Sequence, residues 1–197
     1  MRDKIIQSWS IEGGVAMQFS LRFLVILTGW LIIAEFSVGM VSIVNAETDK
    51  MKPVKISSDQ RYAKFLDGTT IDKRNGLMWM SNDYWQMEHK WVNWYTAKEY
   101  VQRMNNKKFA GYNDWRLPSV EEATLLYERR KRNTDKDGDK IFIDSIFPKG
   151  SGWSTWTSEH KQNKALLVSF KDEGGKSFQD KVTATDAFLR LVRHVTP

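Results

Sequence analysis

The strongest constraint on this chain is a nearly continuous apolar run over residues 23–44, which contains one charged residue, Glu35. Arg22 stands directly before the run, and residues 44–46 (VNA) carry the small or aliphatic side chains that a signal peptidase reads. This pattern predicts a signal peptide over residues 1–46. Because a run of 22 residues is also long enough to span a bilayer, an uncleaved anchor is the alternative, and only then would the protein contact a membrane. In both cases we expect export to the periplasm or the cell exterior, and a fold built from the residues that follow.

A second methionine, Met17, offers a simpler start than Met1. The first 16 residues are unusual for a signal peptide, whose charged region is short. Residues 17–22 (MQFSLR) lead directly into the apolar run, and the codons of residues 12–16 can spell a purine-rich ribosome-binding sequence. The hypothesis is therefore that translation begins at Met17, which the DNA sequence tests.

The absence of cysteine excludes several classes of site: disulfide frameworks, thiolate zinc sites, iron–sulfur clusters, covalent c-type haem and cysteine nucleophiles. With 41% hydrophobic and 13% aromatic residues, the chain has enough apolar material for a packed core. The 30 Lys and Arg residues exceed the 24 Asp and Glu residues by six, and so modest an excess does not indicate nucleic acid as a partner.

The chain beyond the apolar run divides into a polar segment and a globular one. Residues 47–60 are polar and show no hydrophobic periodicity, so they are interpreted as a linker. Residues 61–197 have the composition of a domain. Short strand-like segments and turn signals such as Asn75-Gly76 predict a β-meander over residues 61–81.

Two helices are expected after the meander. Asn93 can cap a helix that runs to about Asn105, and the spacing of Ser119 and Glu122 is that of a capping box opening a second helix, which should end near Arg130. Three further strands are predicted over residues 153–158, 165–170 and 188–193. Strands that flank two consecutive helices predict an α+β fold with a mostly antiparallel sheet.

An acidic loop is the sharpest local motif. Asp135, Asp137 and Asp139 place three carboxylates at alternating positions, as a hard cation such as Ca²⁺ requires from one loop, and Asp144 could add a ligand. The loop lacks the turn glycine and the bidentate glutamate of an EF-hand, so any calcium site would be weak. The alternative is a solvated acidic turn, and no other cofactor is indicated.

A basic run is expected at the end of the second helix; it comprises Arg129, Arg130, Lys131 and Arg132. One or two cations can offset the partial negative charge of a helix C-terminus. Four exceed that need, so the run is predicted to bind a polyanion such as an acidic or sulfated glycan. The alternative is a solvated helix end.

The tryptophans fall into two predicted groups. A small domain without disulfides needs large apolar side chains inside, and the tryptophans expected in the core are Trp79, Trp115 and Trp156. The tryptophans of a polar stretch are expected to be partly exposed, where an indole face can stack on a sugar; these are Trp85, Trp91 and Trp94.

The chain shows no catalytic constellation. His89, His160 and His194 are scattered without metal-ligand spacing, and there is neither a nucleophile elbow nor a Gly-rich phosphate loop. We therefore do not expect an enzyme.

Arg116 and Arg193, each flanked by apolar residues, are expected to be partly buried and paired with carboxylates.

Motifs spread in order over the predicted domain resemble those of the Lcl C-terminal domain family. The matching segments are residues 67–69 (DGT), 75–79 (NGLMW), 110–119 (AGYNDWRLPS), 147–148 (FP), 153–158 (WSTWTS) and 189–193 (LRLVR). The resemblance implies a C-type-lectin-like fold, with two helices packed on a twisted sheet. It also implies a secreted or surface module, since polyanionic glycan binding is known for the tail of the bacterial collagen-like adhesin that names the family.

Two related activities are not carried over. The Trp-Arg-Leu-Pro motif over residues 115–118 and the Arg-rich last strand also resemble formylglycine-generating enzymes, which use cysteines that this chain lacks. The calcium-dependent sugar motifs of animal lectins, Glu-Pro-Asn and Trp-Asn-Asp, are absent from the sequence. We therefore predict an exported lectin-like binding module for acidic glycans or other polyanions. The alternative is an envelope accessory or protein–protein interaction module without a sugar site.

Overall fold

The structure of this protein is a computed structural model that describes residues 52–171 and 174–195. The predicted signal peptide lies outside the described residues, as does the beginning of the predicted linker. The described part of the chain contains ten strands and three α-helices, so the predicted α+β class is confirmed. The strands are β1 (Lys55–Ile56), β2 (Tyr62–Lys64), β3 (Thr69–Asp72), β4 (Leu77–Met80), β5 (Asn133–Thr134), β6 (Lys140–Ile141), β7 (Ser154–Lys161), β8 (Lys164–Ser169), β9 (Lys176–Asp180) and β10 (Val192–His194). The helices are α1 (Tyr84–Glu88), α2 (Trp94–Asn106) and α3 (Val120–Leu126), and a 3₁₀ turn spans Phe109–Gly111.

The main sheet of the fold is antiparallel and has five strands in the order β1-β2-β3-β4-β10. The predicted meander supplies β2, β3 and β4 and is confirmed. The turn between β3 and β4 needs Gly76, whose φ of 63° lies in the left-handed region that glycine enters without strain from a Cβ. Because β10 pairs with β4, the last strand of the chain lies beside the meander that opens the domain.

β4 is buried on both of its faces, and it separates two hydrophobic cores. Side chains alternate along a strand, so Met78 and Met80 join the core that contains α2, whereas Leu77 and Trp79 join the core that contains α3. This arrangement explains why the segment is apolar at four consecutive positions.

The three tryptophans expected in the core are there: Trp79, Trp115 and Trp156 are each at most 1% exposed. Two of them satisfy their indole N–H groups internally. Trp115 donates to the carbonyl of Phe109 at 3.0 Å, and Trp156 donates to the carbonyl of Val92 at 2.7 Å. The prediction for this group is confirmed.

The predicted helix starts are confirmed. The Asn93 side chain accepts from the N–H of Thr96 at 2.8 Å and caps α2. Ser119 and Glu122 form the reciprocal capping box of α3. No helix within the described residues is both long and apolar enough to cross a membrane.

The end predicted for α3 is wrong by four residues, because the helix stops at Leu126 rather than near Arg130. Tyr127 is extended, with φ −73° and ψ 118°, and the N–H of Glu128 donates to the carbonyl of Phe142 at 2.7 Å. A backbone bond to a distant segment therefore replaces the next helical bond.

Helix α1 was not predicted, although its sequence carries a capping signal. Asp83 accepts from the N–H of Gln86 at 2.9 Å, and the Gln86 side chain accepts from the N–H of Asp83 at 3.0 Å. This is the capping box in its Asp/Gln form. A helix of five residues is too short for hydrophobic periodicity to reveal it.

The predicted linker over residues 47–60 is only partly a linker. Lys55 and Ile56 form β1 and pair with β2 at the edge of the main sheet. The Ser57 hydroxyl also accepts from the N–H of Tyr62 at 2.9 Å. Backbone pairing rather than apolar burial holds this segment, which is why its polar sequence did not reveal it.

Two smaller sheets complete the fold: the hairpin β5-β6 and the antiparallel sheet β7-β8-β9. The predicted closing strand over residues 188–193 is shorter than expected, since only Val192–His194 pairs as a strand. Immediately before β10, the chain makes single backbone hydrogen bonds to different segments instead of pairing as a strand. The Phe188 carbonyl accepts from the N–H of Trp156, and the Leu189 carbonyl accepts from the N–H of Tyr84.

Candidate functional site

The basic run lies in the loop between α3 and β5, because α3 ends before it. Offsetting a helix terminus is therefore not its role. Arg129, Arg130 and Arg132 are exposed, whereas Lys131 is half-buried. The loop thus separates its cations into an outward group and one inward member.

Lys131 forms an internal ion pair, and the prediction that it faces a ligand is corrected. Its Nζ lies 3.0 Å from Asp59 Oδ2 and 2.6 Å from Asp144 Oδ2. Burial lowers the pKa of Lys131, but hydrogen bonds to Asp144 and Asp59 outweigh it, so the net shift is upward. The lysine therefore stays charged and ties the loop to the start of the domain.

Two cations share the ring of Phe142. The Arg132 guanidinium carbon lies 4.8 Å from the ring centroid, and Lys140 Nζ lies 4.9 Å from it. Arg132 also donates to the carbonyls of Arg129 and Lys131 at 2.5 and 2.7 Å, which holds its position. Lys140, at the start of β6, was not predicted as a site residue, since only the fold of the β5-β6 hairpin brings it here.

We call Arg129, Arg130, Arg132 and Lys140 the basic surface. Among the described residues, no carboxylate lies within ion-pair distance of any of the four. Their positive charge is therefore not compensated by the described part of the protein. Planar guanidinium groups at such a surface can bind carboxylate or sulfate groups through two parallel hydrogen bonds.

The acidic loop does not assemble the predicted calcium ligands. Asp135 Oδ1 accepts from the N–H groups of Asp137 and Asp139 at 3.0 and 2.8 Å. The Nζ of Lys171 lies 2.8 Å from Asp135 Oδ2 and 2.9 Å from Asp139 Oδ2. A lysine ammonium thus already occupies the space between the two carboxylates.

The other two predicted metal ligands are also engaged. Asp137 pairs with Lys136 at 2.8 Å, and Asp144 pairs with Lys131 as described above. No group of three or more His, Asp or Glu side chains in the described residues is placed to hold a metal ion. The prediction of a metal site at Asp135, Asp137, Asp139 and Asp144 is therefore corrected: this is a network of ion pairs.

An aromatic cluster lies beside the acidic loop and contains two of the three tryptophans predicted to be exposed. Trp85 is half-buried, and Trp91 is 42% exposed; their ring centroids are 6.3 Å apart. Trp85 and Trp153 each contact Phe188, at 6.2 and 6.0 Å between centroids. Trp153 was not predicted, because strand alternation alone does not show that Phe188 would turn its ring toward it.

Trp94 is not part of this cluster, and its predicted exposure is wrong. It is 5% exposed, and its Nε1 donates to the carbonyl of Thr157 at 3.0 Å. Lys98 and Lys181 cover its ring, with their Nζ atoms 5.0 and 4.6 Å from the centroid. The polar composition around Trp94 therefore reflects lysines packed on the indole rather than exposure of the indole.

The lysines of the acidic loop also cover the aromatic cluster. Lys136 Nζ lies 5.0 Å from the Trp85 centroid, and Lys171 Nζ lies 5.7 Å from the Trp153 centroid. Both lysines are already paired with aspartates, so this region is electrically compensated. Uncompensated positive charge distinguishes the basic surface from the aromatic cluster.

The histidines lie apart. His89 ends α1 in the left-handed region, with φ 54°, and His160 lies against the Trp94 ring, at 4.9 Å between centroids. His194 is 3.8 Å from a Glu122 oxygen. The three histidines therefore lie in three different surroundings, and His160 Nδ1 is 3.1 Å from Lys181 Nζ.

The two interior arginines predicted from the sequence are confirmed as paired. Arg116 meets both Glu122 oxygens, at 2.6 and 2.7 Å, and Arg193 Nε donates to Asp114 at 2.6 Å. The Arg193 side chain is 4% exposed, while that of Arg116 is 36% exposed. Both arginines are therefore held by carboxylates of the domain itself.

Comparison with known proteins gives one match. The family model of the Lcl C-terminal domain matches residues 68–193, which run from the turn before β3 to the middle of β10. No curated protein and no solved structure matches the chain.

Proposed function

Since this chain belongs to the Lcl C-terminal domain family, we propose that it is an exported binding module whose ligand is a polyanion, either an acidic or a sulfated glycan. The observation that carries the proposal is the basic surface: Arg129, Arg130, Arg132 and Lys140 have no carboxylate partner among the described residues.

A polyanion fits this surface better than a single anion does. Each exposed cation is solvated and contributes little alone, since a surface ion pair is worth about 0–1 kcal/mol. A chain of sulfates or carboxylates that contacts several cations releases condensed counterions, a linkage described for DNA that applies to any dense polyanion. The position of Arg132 on the Phe142 ring reduces the side-chain entropy that binding would cost.

The lectin-like part of the proposal concerns the fold. The family resemblance supports it, and so does the antiparallel sheet that joins β10 to β4 and brings the two ends of the domain together. An experimental structure of the protein, compared with C-type lectin domains, tests this part separately from ligand binding.

Export is supported by the apolar run over residues 23–44 and the VNA tripeptide that ends at Ala46. We expect the protein in the periplasm or medium with Glu47 as its first residue. N-terminal sequencing after cell fractionation measures this. An intact N-terminus in the membrane fraction would instead support the anchored form.

Heparin affinity chromatography tests the ligand class. We expect the protein to be retained at low salt and to elute well below about 1 M NaCl, where the Debye length is only about 3 Å. The double variant Arg129→Glu/Arg130→Glu should lose retention, because it reverses two exposed cations of the basic surface.

A matched control separates this surface from net charge. Lys161 and Lys164 are exposed and face each other across the β7-β8 hairpin. The variant Lys161→Glu/Lys164→Glu changes net charge by the same amount and should elute close to the wild type. If both double variants shift equally, overall charge rather than the basic surface is responsible, and the proposal fails.

A protein-interaction module is the second candidate, and one observation favours it. Strand β9 is exposed along its length at the edge of its sheet; Phe178 is 49% exposed, and Val182 just beyond it is 71% exposed. An edge strand with apolar side chains can pair with another chain. If heparin retention is absent from the start, this second function becomes the leading one.

A further inference from the structure

A cleft beside the three-stranded sheet belongs to neither the basic surface nor the acidic loop. It lies against β8, β9 and the loop over residues 181–187, with Trp153 also in its lining. Its volume is about 250 Å³, slightly below the 300–1,000 Å³ or so of pockets for drug-sized ligands. The cleft therefore suits a ligand of about one small ring.

Strand register explains why small polar side chains converge on this cleft. Leu167 lies opposite Ser177, and Ser169 lies opposite Ser154. Directly paired residues point to the same face of a sheet, as do residues two apart on one strand. The four side chains therefore share one face, where Leu167 supplies an apolar floor surrounded by three hydroxyls.

One of these hydroxyls lacks a partner. Ser154 is 2% exposed, and its Oγ has no hydrogen-bond partner within the described residues. A buried hydroxyl without a partner loses its hydration and gains nothing in exchange. A ligand hydroxyl that enters the cleft can supply the missing bond.

The loop over residues 181–187 adds polar groups to the lining. Thr183, Thr185 and Asp186 all contribute, and Asp186 adopts a left-handed φ of 57°. Non-glycine residues in this conformation are more frequent at binding sites. The Asp186 carboxylate is exposed and has no ion-pair partner among the described residues, so it can accept hydrogen bonds from a ligand.

Charge selects among the ligands that fit. Asp186 is the only charged residue among the described residues that line the cleft, and no Lys or Arg lines it. A sulfate or carboxylate would therefore meet a like charge, and the Lys171 ammonium on the Trp153 ring is already paired with Asp135 and Asp139. A neutral ring with several hydroxyls fits instead, because its hydroxyls can bond to the serines, the threonines and Asp186 while its C–H face contacts Trp153.

We propose that this cleft binds one neutral sugar residue, at a site separate from the polyanion-binding basic surface. The site requires no metal, and its binding should be insensitive to salt because the contacts are hydrogen bonds and apolar burial.

NMR titration of the isotopically labelled protein tests the proposal. The probes are the methyl glycosides of glucose, galactose, mannose and N-acetylglucosamine, with glucuronate as the charged comparison. We expect at least one neutral probe to shift the amide signals of Ser154, Leu167, Ser177 and Asp186, with a millimolar Kd that is equal at low and high salt. Glucuronate should leave these signals unchanged.

Two variants of β9 provide the matched comparison. Ser177→Trp fills the cleft and should abolish the shifts, whereas Phe178→Trp changes the neighbouring exposed position on the other face and should leave them intact. Asp186→Ala should weaken binding about tenfold, near the lower limit for a hydrogen bond to a charged group. Thermal melting of each variant confirms that it is folded.

The outcomes separate this site from the proposed function. No shift of the cleft signals with any neutral probe, or shifts that persist in Ser177→Trp, overturn the cleft. Shifts confined to Arg129 and Arg130 overturn it too, while leaving the polyanion proposal in place. Loss of heparin retention in Arg129→Glu/Arg130→Glu with unchanged neutral-sugar shifts supports two independent sites.

Discussion

Two groups of arginines in this domain carry the same charge in opposite surroundings. The side chains of Arg61 and Arg193 are each 4% exposed, and they lie 2.6 Å from Asp72 and Asp114, respectively. The arginines of the basic surface are exposed and have no described carboxylate within ion-pair distance. Removing a charge from water is costly unless a partner replaces the hydration, so the interior arginines are tied to the fold, whereas the basic surface is free to serve a ligand.

Arg190 is a further buried arginine, and its hydrogen-bond partners differ from those of Arg61 and Arg193. It is 2% exposed and bonds to backbone carbonyls, those of Met80 and Ser81, rather than to a carboxylate. Burial lowers the pKa of Arg190, while the charge of Asp83 opposes that shift. Burial also raises the pKa of Asp83, which Arg190 in turn counteracts. Interior arginines therefore organise backbone as well as side chains.

The largest expected effect comes from breaking an interior pair. Arg61→Ala would leave Asp72, whose side chain is fully buried, and Glu128 without their guanidinium partner. We expect a loss of about 3–5 kcal/mol, a fall in melting temperature of about 10 °C. Thermal and urea denaturation measure it. A shift of one or two degrees would show that the buried pair contributes little.

The stability that the Arg61–Asp72 pair contributes should depend on pH. Burial raises the pKa of Asp72, but hydrogen bonds from Arg61 and Asn75 outweigh it and hold the pKa below its usual value. A lowered folded-state pKa stabilises the protein above the unfolded pKa, about 3.9, and this stability is lost as pH falls through the folded value.

The gap in stability between wild type and Arg61→Ala should therefore narrow as pH falls below about 4. Urea denaturation of both proteins at neutral and acidic pH measures this gap. A gap that stays constant would mean that the charge of Asp72 is not what Arg61 stabilises.

An intermediate effect is expected at Arg116. Its ion pair with Glu122 is bidentate but partly exposed, with side chains 36% and 14% exposed. Arg116→Ala should cost about 1–2 kcal/mol, between the values for exposed and buried pairs. Denaturation midpoints measure it, and a cost as large as that of Arg61→Ala would show that partial exposure does not weaken an ion pair in this domain.

The smallest effect is expected at the basic surface. Arg129→Ala and Arg130→Ala should each change stability by no more than about 0.5 kcal/mol, because neither side chain is buried or ion-paired within the described residues. The same variants should still reduce heparin retention. A clear destabilisation would mean that these arginines have a structural role.

Local signals predicted much of the fold. The caps at Asn93 and Ser119 and the Asn75-Gly76 turn each act over a few residues, so the sequence shows them directly. The end of α3 could not be predicted this way, because a hydrogen bond from Glu128 to the distant Phe142 carbonyl decides it.

The candidate site was predicted less completely because its chemistry depends on distant partners. Lys131 and Arg130 look alike in the sequence, yet Lys131 pairs with Asp59, which lies far earlier in the chain. The acidic loop also depends on a distant partner. Lys171, which follows β8 in the chain, lies between Asp135 and Asp139, where a calcium ion was predicted.

Short segments of the sequence were enough to predict the α+β class, the core tryptophans, the starts of α2 and α3 and the family, since capping, turn signals and ordered motifs are local properties. The folded arrangement was needed to show which charges remain uncompensated, which tryptophans reach the surface and where a polar cleft opens. The physical reason is that solvation and ion pairing depend on distances in space, and a charge has no partner or exposure until the chain has brought its distant segments together.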